Sequence, residues 1–320
     1  SIFGGAEVQL YYFGVEMAKD PRFSVSFITG DHGQPNVEQR EGVTLYKYTA
    51  TNKKIKFVTF LLWHVNPWLM FRRVNADIYI QRASALVTGE IAIYCRLTGK
   101  KFVYMVAHDN DVITGKRPSW MPKGIYGHLT WKGFQFGVRS AHAVVVQHEG
   151  QRRDLERNYG KDSYMRQSAH QIPDEGALSE KTFVLWVARC EDWKQPEVFI
   201  NLARSFPNER FCMVCPASHD LTYFDLTKNA ALVEANMTFL DFVPFSEIDE
   251  YFMKAKIFVN TSNAEGFPNT FIHAAKCKTP ILSLSVDPDN MLMKYDIGYC
   301  ANGDRRELVK HLGALLADSQ

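Results

Sequence analysis

Short runs of β-branched and aromatic residues alternate with helical patterns along the chain, in two successive blocks. This alternation is typical of parallel sheets wrapped by helices. The chain has 320 residues, 46% of them hydrophobic, which is enough to bury a core in each of two domains. The sequence therefore predicts an α/β protein built from two Rossmann-like domains.

The predicted strands are the shortest and most apolar of these runs. In the first block they are Phe23–Ile28, Val43–Tyr48, Asp77–Gln81, Lys101–Val106 and Ala143–Gln147, with helices between them. In the second block they are Thr182–Val187, Arg210–Val214, Met237–Leu240, Ile257–Val259 and Pro280–Leu284, with helices at Pro196–Arg204, Ile248–Lys254 and Asn269–Lys276. The polar, turn-rich stretch Gln171–Lys181 predicts a hinge, which gives domains at residues 1–173 and 174–320.

Charge and cysteine content narrow the class of protein. The formal net charge is +2, so nothing in the overall charge favours a nucleic-acid partner. The six cysteines are scattered, which fits a reducing compartment. Cys212 and Cys215 form a CxxC inside an apolar run and are predicted to be buried strand residues, with no metal bound. No basic-then-apolar leader follows Ser1, so a cytoplasmic location is expected.

The segment Asn260–Pro280 carries the most informative pattern. A strand runs into a loop that holds Glu265 and Gly266, and Pro268 then opens a helix. Free backbone N–H groups and a carboxylate are thus expected at the carboxyl edge of a sheet, where open α/β folds bind ligands. Alternatively, Asn263 and Glu265 cap the helix.

The segment Leu185–Glu197 contributes two cations. A buried strand ends near Arg189, and Lys194 follows in the loop before a helix begun by Pro196. Two fixed positive charges suit a diphosphate leaving group, because they stabilise its negative charge as that charge develops. The alternative is a surface arginine paired with Glu191 or Asp192.

Both segments resemble the donor-binding signature of the retaining family 4 glycosyltransferases. The resemblance implies a GT-B fold, with two Rossmann-like domains facing each other across a donor-binding cleft. It implies that Glu265 faces the donor sugar as a catalytic group and that Arg189 and Lys194 bind the donor diphosphate. Gly266, Phe267, Pro268 and Asn269 match the donor-binding loop, and His273 stands where the family has a second glutamate that binds the nucleotide ribose.

The first block carries weaker matches to the same family. Gly4 and Gly5 resemble its glycine loop near the donor phosphates. The alternative is an ordinary helix start. Such a glycine loop normally follows a strand, and the first strand of the domain is expected to be missing from this sequence. His108 resembles the family's histidine near the transferred sugar, which makes it the second predicted catalytic residue; alternatively, it is structural. Asp109-Asn110-Asp111 is interpreted as a loop, not as a metal-binding DxD triplet.

The stretch Lys53–Arg73 mixes basic and aromatic residues. This composition suits the surface of an anionic membrane, where a lipid-linked acceptor would lie. The alternative is a helix pair packed on the first domain's sheet and broken at Pro67.

The resemblance therefore predicts an enzyme that moves a sugar from a nucleotide-diphosphate donor to a hydroxyl of a glycan or glycolipid, with retention. Neither a metal nor another cofactor is expected, and a role in cell-surface polysaccharide synthesis at the inner face of the membrane would fit. The alternative function is a catalytically weak homologue that acts as a binding or scaffold protein. A nicotinamide oxidoreductase is disfavoured, because no GxGxxG follows a strand.

Overall fold

The computed structural model describes residues 5–48, 67–114, 124–167 and 180–318, and the chain divides into two compact units, Ser1–Ala169 and His170–Gln320. Three sequence predictions fall wholly or mostly outside the described residues. These are the hinge at 171–181, Gly4 of the glycine pair, and residues 53–66 of the basic and aromatic stretch.

The first unit contains two separate sheets. The elements before the second sheet are α1 (Gly5–Ala18), β1 (Ser26–Gly30), β2 (Val37–Arg40), β3 (Val43–Tyr48) and α2 (67–74). The second sheet and its helices comprise β4 (Ile78–Arg82), α3 (Val87–Thr98), β5 (Lys101–Met105), α4 (Gly124–Ser140), β6 (Ala143–Val146), α5 (Glu149–Tyr159) and β7 (Tyr164–Met165). The strand orders are β1-β3-β2 and β4-β5-β6-β7, and every pair in the second sheet is parallel.

One antiparallel hairpin interrupts the parallel pattern. Strands β2 and β3 pair from Arg40 opposite Val43, and the two residues between them, Glu41 and Gly42, both have positive φ. Two positive φ angles define the type I′ turn that matches the twist of a tight hairpin. The polar, exposed edge strand β2 was absent from the sequence prediction because its residues do not alternate between apolar and polar.

Helices α3 and α4 approach each other at glycines. A Cβ built on Gly89 would lie 2.6 Å from the backbone oxygen of Gly133, and one on Gly137 would lie 2.7 Å from that of Thr88. Only residues without side chains fit at such a crossing. The remaining inner faces of both helices pack on the sheet through large apolar side chains, among them Tyr94, Phe134 and Val138.

The second unit is built on one six-stranded parallel sheet of order β10-β9-β8-β11-β12-β13. Its elements are β8 (Phe183–Val187), α6 (Pro196–Ser205), β9 (Phe211–Val214), α7 (Leu221–Leu232), β10 (Met237–Leu240), α8 (Ile248–Lys254), β11 (Ala255–Asn260), α9 (Asn269–Lys276), β12 (Ile281–Ser283), α10 (Met291–Lys294), β13 (Gly298–Cys300) and α11 (Arg305–Asp318).

Both faces of this sheet are buried. Along β8, Val184 and Trp186 pack on the core under α6 and α11, whereas Leu185 packs on the opposite core under α8 and α9. The two-residue period of a strand places alternate side chains on opposite faces, so a strand covered on both faces is apolar throughout. The central strands β8 and β11 therefore lie in the interior of the second unit.

Most predicted strands are confirmed within two residues. The first is wrong by more, because Phe23 lies in a turn in which its N–H donates to the carbonyl of Asp20, and β1 begins only at Ser26. Cys212 and Cys215 are buried, as predicted. Among the described residues, no helix combines the length and the apolar character needed to cross a membrane.

Candidate functional site

The carboxyl ends of β8 and β11 define the candidate site. These strands are parallel neighbours, so the loops that follow them leave the sheet at the same edge. The loop after β8 carries Arg189 and Lys194, and the loop after β11 carries Glu265. The fold thus brings the three residues singled out by the two sequence segments to one place.

Lys194 and Glu265 form an ion pair at this edge. The lysine Nζ contacts Glu265 Oε1, and the two side chains are only 13% and 14% exposed. Ser262 Oγ donates a hydrogen bond of 2.8 Å to the same carboxylate oxygen, and the lysine Nζ lies 3.9 Å from the centroid of the Trp193 ring. Burial lowers the pKa of Lys194, and the charge of Arg189 adds to that lowering, while Glu265 opposes it.

Arg189 is the exposed cation of the site. Its charge acts on Lys194, yet within the described ranges its guanidinium makes no ion pair or hydrogen bond. The pairing with Glu191 or Asp192 that the sequence left open is not formed. Instead, Glu191 Oε1 accepts from Ser218 Oγ, and Asp192 Oδ1 accepts from the Trp193 N–H.

A buried threonine holds the lysine loop against the sheet. Thr261 Oγ1 accepts a hydrogen bond of 2.8 Å from Trp186 Nε1 and donates one of 2.6 Å to the carbonyl of Lys194. Gln195 follows in a left-handed conformation with φ 48°, and its Nε2 donates to Thr261 O at 2.9 Å and to Asn263 Oδ1 at 2.6 Å. Sequence reasoning missed these supporting groups, because a threonine or glutamine next to a motif carries no signal of its own.

The donor-loop residues after Glu265 are packed inside the unit. Gly266, Phe267 and Pro268 are buried, and α9 begins at Asn269. The side-chain hydrogen bonds of Glu265 go to Lys194 and Ser262, and that of Asn263 to Gln195. Helix capping, the alternative interpretation of Asn263 and Glu265, is therefore wrong.

His273 lies in the packing between α8 and α9. It is 4% exposed, its Nδ1 lies 2.5 Å from Asp249 Oδ1, and its ring stacks on Phe252. Lys276 Nζ donates to the other oxygen of Asp249 at 2.6 Å. Burial lowers the pKa of His273, although Asp249 acts in the opposite direction. The nucleotide-binding role of His273 stays a prediction.

In the first unit, His108 begins a short 3-10 turn after β5. Its Nδ1 accepts a hydrogen bond of 3.1 Å from the Asn110 N–H, and the Asp111 carboxylate accepts from the N–H groups of His108 at 3.1 Å and Ala107 at 2.9 Å. His108 thus has the structural role that the sequence left open. Its predicted contact with the transferred sugar stays a prediction, as does the phosphate role of Gly5, which opens α1.

Asp109 is a further group at this edge of the first unit. Its Oδ1 accepts from His148 Nε2 at 2.9 Å and from Gln151 Nε2 at 3.0 Å, because β5 and β6 are parallel neighbours. Burial would raise the pKa of Asp109, but these two hydrogen bonds, together with electrostatic interactions with His148 and His108, outweigh it and lower the pKa. The partners of Asp109 and Asp111 are protein groups, and in the described residues no cluster of three His, Cys, Asp or Glu side chains could hold a metal.

The described end of the basic and aromatic stretch belongs to the core of the first unit. Phe71 is buried in α2, and Trp68 packs edge-on against Tyr94 with ring centroids 5.7 Å apart. Arg72 and Arg73 remain exposed. The apolar residues Trp68 and Phe71 are therefore packed against the first unit, as the packed-helix interpretation predicts.

Comparisons with known proteins agree with this architecture. Residues 168–319 match the sequence profile of the family Glycosyl transferases group 1. The chain is 26% identical over 157 residues to the alpha-monoglucosyldiacylglycerol synthase of Acholeplasma laidlawii, a match that covers 48% of this chain and 39% of that protein. The chain thus spans well under half the length of this relative.

Solved structures extend the similarity to the whole chain. A sucrose-phosphate synthase from Thermosynechococcus elongatus superposes with a TM-score of 0.75 at 16% identity, over 99% of this chain and 85% of that one. WaaG, a glycosyltransferase involved in lipopolysaccharide biosynthesis, superposes with a TM-score of 0.69 at 13% identity, over 99% and 88%. The chain therefore has the α/β fold of GT-B glycosyltransferase structures.

Proposed function

We propose that the protein transfers a sugar from a nucleotide-diphosphate donor to a hydroxyl group of a glycan or glycolipid, with retention of anomeric configuration. The observation that carries the proposal is the meeting of Arg189, Lys194 and Glu265 at the carboxyl edge of β8 and β11. The group 1 domain match covers all three residues.

The charges at this edge suit the departure of a diphosphate. Arg189 and Lys194 would bind the two phosphates, and positive charge fixed before the reaction stabilises the leaving group as its negative charge grows. Glu265 would accept hydrogen bonds from the donor sugar, and His108 keeps the sugar-binding role that the family resemblance implies. A phosphate oxygen of the leaving group could take the acceptor's proton, so the scheme needs no separate base.

We expect the reaction to proceed without a divalent metal, because the positive charges of Arg189 and Lys194 would already balance the negative charge of the diphosphate. Turnover in excess EDTA should match turnover in Mg²⁺ or Mn²⁺ within about twofold. A loss of about 100-fold or more on chelation would contradict this expectation.

Titration calorimetry with UDP-glucose, UDP-galactose, GDP-mannose and ADP-glucose tests donor binding. At least one donor should bind, and Arg189→Ala should weaken it about tenfold or more, since hydrogen bonds to charged groups contribute about 1.5–3 kcal/mol. Glu265→Ala should weaken donor binding less, because the loss of the carboxylate also releases Lys194. Arg306→Ala is a matched control, because Arg306 is also exposed in the second unit but lies on α11. Equal binding by the wild type and both site variants would show that the site is misplaced.

A lipid-linked acceptor would bring the protein to an anionic membrane at the cytoplasmic face. Helix α4 supports this, because its solvent-facing side carries the exposed apolar residues Ile125, Leu129 and Phe136 beside the exposed cations Lys132 and Arg139. Binding to phosphatidylglycerol vesicles at low salt should weaken in Leu129→Ser. The equally exposed Leu226→Ser on α7 is the control. Failure of the wild type to bind would rule out this attachment.

One observation favours a second candidate, a binding protein that has lost transferase activity. The position of the family's second glutamate is occupied by His273, whose Nδ1 is already paired with Asp249. In that case the folded protein would bind none of the four donors and would hydrolyse none of them in the absence of acceptor.

A further inference from the structure

The ion pair at the site occupies the two groups that a nucleotide sugar would need. Lys194 Nζ, a predicted phosphate ligand, contacts Glu265 Oε1, a predicted sugar ligand. Both side chains are largely shielded from water, so neither charge can exchange its partner for bulk solvent at little cost. A ligand that binds Lys194 breaks this ion pair. Its affinity is therefore lowered unless it also provides a new hydrogen-bond partner for the Glu265 carboxylate.

We propose that Glu265 holds Lys194 until a nucleotide sugar replaces both halves of the ion pair, so that the site favours the sugar-bearing donor over the bare nucleoside diphosphate. This inference rests on the proposed function. It assigns a specificity role to the pair itself, in addition to the separate contacts of its members with a donor.

The physical argument compares two ligands. A bare nucleoside diphosphate draws Lys194 to its phosphates and leaves the Glu265 carboxylate close to incoming negative charge, with Ser262 as its remaining hydrogen-bond donor. A nucleotide sugar makes the same exchange, but its hydroxyl groups also donate hydrogen bonds to the carboxylate. The sugar therefore offsets a cost that the bare nucleotide cannot offset.

Ser262 is the positioning residue in this exchange. Its hydroxyl is buried and donates to Glu265 Oε1, the same oxygen that Lys194 contacts. Its own backbone N–H is tied to Asn260 Oδ1 at 3.1 Å. When Lys194 moves to phosphate, Ser262 would keep the carboxylate in place, with Oε2 able to accept from the sugar.

The same exchange would aid product release. After transfer, the ligand left in the site is the bare nucleoside diphosphate, and Lys194 can return to Glu265 as that product leaves. The ion pair thereby competes with the product more strongly than with the substrate.

Calorimetry on UDP, GDP and ADP, each beside its sugar-bearing form, tests the inference. Glu265→Gln removes the competing charge, so the bare nucleotide should bind about tenfold more tightly, equivalent to about 1.4 kcal/mol, while the advantage of the sugar-bearing form shrinks. Glu247→Gln, on an exposed residue before α8, is the control for the loss of one negative charge. It should leave both affinities unchanged.

A double-mutant cycle tests whether the effect of Glu265→Gln on nucleotide binding acts through Lys194. In a Lys194→Ala background, Glu265→Gln should no longer tighten nucleotide binding, because the ion pair is already gone. An undiminished gain in that background would overturn the inference in favour of a general charge effect. Ser262→Ala should reduce the advantage of the sugar-bearing form about threefold, because the carboxylate is no longer held in place for the sugar, and this variant serves as the test if Glu265→Gln fails to fold.

Failures of the two proposals are distinguishable. If the wild type binds a nucleotide sugar but Glu265→Gln binds the bare nucleotide no more tightly, or Ser262→Ala leaves the sugar advantage intact, the inference fails and the proposed function stands. If the wild type binds neither the nucleotides nor their sugars, both fail together.

Discussion

Replacing Thr261 by valine should separate the hydrogen bonds of this residue from its packing. Valine has nearly the same shape but removes the hydroxyl that accepts from Trp186 Nε1 and donates to Lys194 O. Trp186 is only 2% exposed, so its N–H would lose its partner without gaining water. An orphaned buried donor costs about 1–3 kcal/mol, and the lost bond to the lysine carbonyl adds about 0.5–1.5 kcal/mol.

Thr261→Val should therefore lower the free energy of unfolding by about 2–4 kcal/mol. Thr261→Ser is the matched control, because it keeps the hydroxyl and loses one buried methyl, at about 1 kcal/mol. Urea unfolding followed by tryptophan fluorescence measures both. Nucleotide affinity should fall more in the valine variant, since the Lys194 loop loses its tether. A serine variant less stable than the valine variant would refute the reasoning, because packing would then outweigh the hydrogen bonds.

Two further predictions concern helix packing and pH. Gly137→Ala should lower the free energy of unfolding by about 1–2 kcal/mol, because its Cβ would lie 2.7 Å from the Thr88 carbonyl oxygen, whereas Gly133→Ala, with open space at its Cβ, should be neutral or stabilising in the same denaturation assay. Burial lowers the pKa of His273 below its unfolded value of 6.5, so the unfolded state binds more protons and stability should fall from pH 7 to pH 5. His273→Gln should flatten that decline, and parallel pH curves for variant and wild type would contradict the assignment.

Much of the fold follows from local sequence pattern. The strands β8 and β9 are apolar throughout, and a run of that kind is buried on both faces wherever helices cover a sheet. Strands β2, β7 and β13 were not predicted. They are two to four residues long or polar, and their pairing depends on a neighbouring edge that no local pattern encodes.

The candidate site was only partly predictable. Arg189, Lys194 and Glu265 were identified because each follows an apolar strand, and the carboxyl ends of parallel strands meet at one edge. Neither the direct contact between Lys194 and Glu265 nor the partners of Ser262 could be inferred. The Lys194–Glu265 contact joins loops that are 71 residues apart in sequence, and the Ser262 hydrogen bonds, although local, depend on the conformation of the loop after β11.

The sequence by itself determined the α/β class, the positions of the main strands along the chain, and the charged segments that follow β8 and β11. Periodicity and residue type act locally, so they can be recognised without the tertiary structure. Only the tertiary structure decided which charges pair. In the folded protein Lys194 pairs with Glu265, Arg189 is exposed, and His273 pairs with Asp249. Pairing energies depend on distance and burial, and both are fixed only when remote segments pack together.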